Sequence, residues 1–183
     1  MNWLHVAFIL AAAYLAVFAE ASLNIPRSWI GAQVDLLPAL MVYTALTNNI
    51  MVIALLALAG GLSFDALSAN PLGVSVLPLL AIGFTIDRAR EFLLRESIYA
   101  QCVLGATASA VQPLATLFLM LNLGAAPLVG WGALWQWFIL TAGGAIATPL
   151  LFALFDRIHK AFDYQPAHQS SFRPDREIKR GRV

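Results

Sequence analysis

Residues Ala32 to Gly73 read AQVDLLPALMVYTALTNNIMVIALLALAGGLSFDALSANPLG. Two apolar runs lie in this stretch, Ala32 to Leu46 and Ile50 to Leu62, separated only by Thr47, Asn48 and Asn49. The first is shorter than a comfortable membrane crossing, which takes about 20 apolar residues as a helix. A short run that closes on a polar triplet and opens at once onto another predicts a tight helical hairpin. Beyond it stands one acidic residue, Asp65, followed by a turn built on Ser68, Asn70 and Pro71. An ionisable side chain beside so much apolar sequence is costly unless the fold uses it.

The rest of the chain has the same character. Of its 183 residues 60% are hydrophobic and only 11% charged, and the mean hydropathy is +0.76. These values exclude an ordinary soluble domain and indicate an integral membrane protein. Four charged residues lie between Met1 and Ile86, six between Asp87 and Glu96, none between Ser97 and Phe155, and eleven from Asp156 onward. That distribution separates loops from spans. Further apolar runs cover Asn2 to Leu23, Leu72 to Ile86, Ser97 to Leu123 and Leu134 to Phe155. The expected fold is all-α, a six-helix transmembrane bundle over residues 1–162 with a cytoplasmic, basic and disordered tail over 163–183.

Short loops rich in Lys and Arg stay in the cytoplasm. With both termini inside, ten of the eleven basic residues face the cytoplasm and only Arg27 lies outside. Ala19-Glu20-Ala21 has the form of a signal-peptide cleavage site, but no basic residue precedes the apolar run, and the run is longer than such peptides carry. The N-terminal run is therefore expected to remain as a span. Cys102, the one cysteine, has no partner for an internal disulfide and is expected to be a small packing residue. Prolines 38, 78, 113 and 149 fall inside spans two, four, five and six and predict bent helices. Four-residue spacings of small residues, Gly105 with Ser109, Ala106 with Ala110 and Gly144 with Thr148, would let helices five and six approach neighbours closely.

Catalytic constellations are missing. Gly61-Leu62-Ser63-Phe64-Asp65 begins like a G-x-S-x-G nucleophile turn but ends in Asp, and no histidine lies in a later span to act as base. His5, His159 and His168 sit near the two ends and suggest no metal set. No glycine-rich phosphate loop and no nucleic-acid signature occurs. The expectation is thus no enzyme, no cofactor and no metal. Asp35 precedes its span as a helix-start acid does, which makes capping its expected role. For Asp65 two readings stay open. It pins the turn into helix four by accepting bonds from backbone N–H groups of residues 68 to 73, or it contacts a partner or ligand.

Gln33-Val34-Asp35-Leu36-Leu37-Pro38, Val42-Tyr43-Thr44-Ala45-Leu46 and the stretch from Gly60 to Gly73 together resemble the MreD family, the small membrane subunit of the bacterial rod-shape system. Members show an acidic residue opening a short second helix, then glycine, a few apolar residues, Asp, Leu-Ser or similar, and Pro-Leu-Gly. The resemblance covers spans two to four closely and the remainder by length and hydropathy profile. It implies a non-enzymatic role in the bacterial inner membrane. The partners it implies are MreC and, through the complex, RodA, a class B penicillin-binding transpeptidase and MreB, with membrane lipid around the bundle. It also implies a fold like the substrate-binding subunits of energy-coupling-factor vitamin transporters. Asp35, Gly61, Asp65, Ser68, Pro71 and Gly73 are the residues it marks as structural or partner-contact candidates.

Two functions follow as expectations. One is a scaffold that holds the MreC transmembrane helix in an apolar, small-residue groove. The other is a small-molecule carrier, such as a vitamin-binding subunit; Ala12 and Ala16 have the Ala-x-x-x-Ala spacing such subunits use. Against the carrier, spans five and six offer Gln101, Gln112, Asn122 and Gln136 as their amide side chains, with no charge.

Overall fold

A computed structural model of the chain describes residues 3–22, 33–68, 70–91, 97–124 and 130–162. Arg27 and the tail 163–183 lie outside the described residues. Six α-helices and no strand are present among the described residues: α1 Trp3–Ser22, α2 Leu37–Thr47, α3 Ile50–Leu67, α4 Val76–Ala89, α5 Ile98–Asn122 and α6 Trp131–Phe162. Of these, α3, α5 and α6 are long and apolar enough to cross a membrane.

The centre of the fold is α2. Its eleven residues rise about 16 Å at 1.5 Å each, half of the roughly 30 Å hydrocarbon layer. Every residue from Leu37 to Leu46 is buried, and the helix touches all five others. A helix that is apolar on every side belongs inside. The Tyr43 ring stacks on Phe155 with centroids 4.3 Å apart and meets Phe152 edge-on at 5.0 Å, which ties α2 to the second half of α6. At its C-terminal end, Arg90 donates to the carbonyl of Asn48 at 3.4 Å while held by Asp87 at 3.2 Å. A cation there complements the helix dipole.

Around this core the helices bury one stripe each. On α1 the stripe is Val6, Ile9, Ala13 and Val17, whereas Phe8, Leu15 and Phe18 stay exposed. Exposed apolar side chains continue over α5 and α6, among them Phe118, Phe138, Leu150 and Leu154. Apolar surface of this extent suits a protein whose solvent is lipid.

Two sequence expectations change. Pro38 occupies the first turn of α2, and Pro78 is the third residue of α4. There the missing N–H would have had no intrahelical partner, so both start helices rather than bend them. Only Pro113 and Pro149 lie in helix interiors. Helix α3 continues to Leu67, the farther of the two ends, Leu62 and Leu67, that the sequence allows for span three, because Phe64, Ala66 and Leu67 carry it past the apolar run. Asp65 therefore sits in its last turns.

The closest helix contact joins α5 and α6. A Cβ on Gly105 would collide with Thr148 Oγ1 and the Gly144 carbonyl, and one on Gly144 with Ser109 Oγ. The Gly105–Ser109 and Gly144–Thr148 spacings are thus the two facing surfaces of this contact. Gly105→Val should destabilise the purified protein by about 1–3 kcal/mol, the usual cost of overpacking. Gly132→Ala, at a position with nothing within 4 Å, should leave unfolding unchanged. Thermal unfolding in detergent checks both, and equal melting of the two variants would refute the contact.

Candidate functional site

A buried helix start leaves backbone N–H groups that must find acceptors. Ahead of α2 the chain is not helical from Gln33 to Leu36, and Asp35 turns back so that its Oδ1 accepts from Leu37 N–H at 2.8 Å. Its Oδ2 accepts from the side-chain amide of Gln112 on α5 at 2.9 Å. Gln136 of α6 grips the same segment twice. Its Oε1 accepts from Gln33 N–H at 3.1 Å, and its Nε2 donates to the Gln33 carbonyl at 2.9 Å. The lead-in to α2 is thereby fixed to both α5 and α6.

A second carboxylate fixes the passage from α3 to α4. Asp65, 1% exposed, accepts through Oδ2 from Gly73 N–H at 2.8 Å and from Ser75 N–H at 3.1 Å. The turn can bring these donors round because Gly73 takes φ +92°, a region open to glycine at no steric cost. One helical turn before Asp65, Gly61 lets the start of α4 come against α3. A Cβ there would lie 2.9 Å from Val76 Cγ2 and 3.0 Å from Val76 Cα. Ser68 donates weakly to the Asp65 carbonyl at 3.3 Å and accepts from Asn70 N–H at 3.4 Å. The Pro71 carbonyl receives Val74 N–H at 3.3 Å.

Between these two arrangements lies a cavity of about 260 Å³. Its polar wall comes from five parts of the chain: Glu20 on α1, Gln33 and Asp35 before α2, Ser75 before α4, Gln112 on α5 and Gln136 on α6. Phe64, Leu117, Met120 and Leu140 form the apolar wall. Glu20 and Asp35 both line it, and none of the described lining residues is basic. No group of three His, Cys, Asp or Glu side chains suited to a metal occurs among the described residues.

Of the six residues marked in the sequence, Gly61, Asp65, Ser68, Pro71 and Gly73 gather at the α3–α4 turn, and Asp35 stands at the start of α2. Asp35 shares the cavity with Glu20, while Asp65 is not among its lining residues. Glu20 was not brought to a site by sequence reasoning, and Gln112 and Gln136, named there only in weighing a carrier, were not connected to Asp35 or Gln33. Their signal was present, because each is an isolated polar side chain in an apolar helix, and such groups need buried partners. The charge missing from spans five and six comes to the cavity from α1 and from the lead-in to α2.

Replacing Asp65 with Ala leaves Gly73 and Ser75 N–H without acceptor. Such a loss costs roughly 1–3 kcal/mol, so Asp65→Ala should unfold at clearly lower temperature, and Asp65→Asn, which keeps one acceptor oxygen, should fall between. Wild-type melting of the alanine variant would show that the carboxylate does not hold the turn.

A family model described as rod shape-determining protein MreD matches residues 1–156. Comparison with curated proteins and with solved structures finds no match. The matched region takes in α1 to α5, the α3–α4 turn, every described lining residue of the cavity and most of α6. The chain belongs to the MreD family of rod shape-determining membrane proteins.

Proposed function

We propose that the protein is a non-enzymatic scaffold of the bacterial rod-shape machinery that binds the transmembrane helix of MreC. Through MreC it supports peptidoglycan synthesis by RodA and its penicillin-binding transpeptidase, above MreB filaments. In this reading the six helices sit in the cytoplasmic membrane as a multi-pass bundle with both termini inside. The charge distribution supports that orientation, since ten of eleven basic residues then face the cytoplasm. The short α2 is compatible with it because the other five helices surround it. Irregular backbone such as Gln33–Leu36 is tolerated at membrane depth where it lines a cavity and its polar groups are satisfied.

The observation that carries the scaffold reading, beside the family, is a groove between α4 and α5. It has a volume of about 340 Å³ and is walled by Ala81, Ile82, Ala89, Ala108, Val111 and Ala115, with Thr85 and Thr107 at its polar positions. Between lipid-bathed helices the hydrophobic drive is weak, so close backbone approach and a few hydroxyl bonds must hold a partner. Small side chains permit that approach, and the two threonine hydroxyls, which donate to the Ala81 and Leu104 carbonyls of their own helices, can accept from a partner.

Co-purification from membranes with tagged MreC tests this. Wild-type protein should retain MreC, while Ala81→Leu and Thr107→Leu, which fill the groove from either wall, should lower recovery about tenfold, equivalent to roughly 1.4 kcal/mol. Leu150→Ala, on an exposed face of α6, should behave as wild type. Full recovery with both groove variants would place MreC elsewhere, and no recovery with wild type would overturn the scaffold itself.

A further inference from the structure

We propose that the cavity at the start of α2 binds a primary ammonium group carried on a short aliphatic stem. The inference stands apart from MreC binding, which concerns the α4–α5 groove. It begins with hydrogen-bond bookkeeping inside the cavity. Glu20 Oε2, Ser75 Oγ, Ser109 Oγ and Gln112 Oε1 are enclosed and have no hydrogen-bond partner, and all four residues line this one space. Ser75 and Ser109 are each 1% exposed and Gln112 is 4% exposed. A buried polar atom left unpaired costs about 1–3 kcal/mol, so several in one cavity mark a place for a ligand.

Glu20 Oε2 and Gln112 Oε1 call for donors, while the Ser75 and Ser109 hydroxyls can both give and accept. A carboxylate oxygen and an amide carbonyl accept and cannot satisfy each other. The amide donors nearby are already committed, Gln112 Nε2 to Asp35 and Gln136 Nε2 to the Gln33 carbonyl. Charge points the same way. Two carboxylates share the space with no basic lining residue among those described, and in a low-dielectric site such a pair stays charged only with a cation beside it and otherwise takes up a proton. An anion is excluded on the same ground. A coordinated metal has only two carboxylates to hold it.

An ammonium group offers three N–H donors, no acceptor and one positive charge. The volume, about 260 Å³, far exceeds the 10–15 Å³ or so that one water needs and falls just below the usual drug-sized pocket of about 300–1,000 Å³. Phe64, Leu117, Met120 and Leu140 would cover a stem of a few methylenes. Two sources carry this chemistry, the aminoethyl headgroup of a phospholipid and a free alkylamine.

The test uses full-length protein purified in a detergent without amines. Thermal unfolding is followed against n-butylammonium chloride, with tetramethylammonium chloride and n-butanol as probes lacking the N–H donors or the charge. Saturable stabilisation by n-butylammonium alone is expected. Glu20→Gln should weaken the apparent affinity about tenfold or more, and Leu117→Trp, which fills the space from its apolar wall, should abolish saturation. In lipid nanodiscs, stabilisation by phosphatidylethanolamine over phosphatidylcholine would identify a headgroup as the source, whereas a response to the free amine without any lipid preference would identify a soluble amine. Equal responses to all three probes with no lipid preference, or a response unchanged in both variants, would overturn the proposal and leave the cavity to water.

Discussion

An eleven-residue helix enclosed by five others has nowhere to send the polar ends of its backbone except into the protein. Most of what is distinctive in this fold answers that constraint. At the start of α2 the answer is Asp35, which takes the Leu37 N–H and is itself held by Gln112, while Gln136 occupies both backbone groups of Gln33. At the other end Thr47 returns its hydroxyl to the Tyr43 carbonyl at 2.7 Å, and Arg90 covers the Asn48 carbonyl. Between the ends Thr44 returns its hydroxyl to the Leu40 carbonyl at 2.9 Å, and the Tyr43 ring packs against Phe152 and Phe155. The cavity is a by-product of the same arrangement, because polar groups gathered to satisfy a helix start also surround the space beside it.

The α3–α4 turn solves a related problem with fewer parts. Gly61 removes the side chain that would keep α4 away, Asp65 reaches across with one oxygen, and Gly73 adopts the backbone conformation that presents the donors. These three act in series. A side chain at 61 would move Val76 outward and carry the Ser75 N–H away from the carboxylate. The turn also supplies Ser75 and Asn70 to the cavity wall, so the two carboxylate arrangements share a boundary.

The apolar runs and the charge distribution made six helices legible in the sequence, and their observed limits differ from the runs by a few residues. The Gly60 to Gly73 motif carried the resemblance to the MreD family, which the match over residues 1–156 shows independently. The central position of α2 was not legible. An apolar helix reads alike whether lipid or protein surrounds it, so Leu37–Leu46 had no mark of burial beyond its shortness. Asp65 was read as standing near the end of the apolar stretch, since hydropathy falls at Ser63 while helical hydrogen bonding continues through Ser68 N–H to the Phe64 carbonyl. The cavity was hidden for a different reason. Its walls come from residues as far apart as Glu20 and Gln136, and periodicity along a chain says nothing about which distant amide meets which carboxylate.

The paired bonds between Gln33 and Gln136 join residues 103 positions apart, and this separation bears on how the chain is made. Synthesis at about 5–20 residues per second leaves roughly 5–20 seconds between the appearance of the two. For most of that interval the lead-in to α2 has neither Gln112 nor Gln136 to bond, and throughout it the ring of Tyr43 has no Phe155 to stack on. The first half of the protein thus waits for the second, with its most deeply buried helix exposed to whatever insertion machinery or lipid receives it. The last helix to emerge closes the core, and a chain truncated before α6 lacks the parts that make α2 an interior element at all.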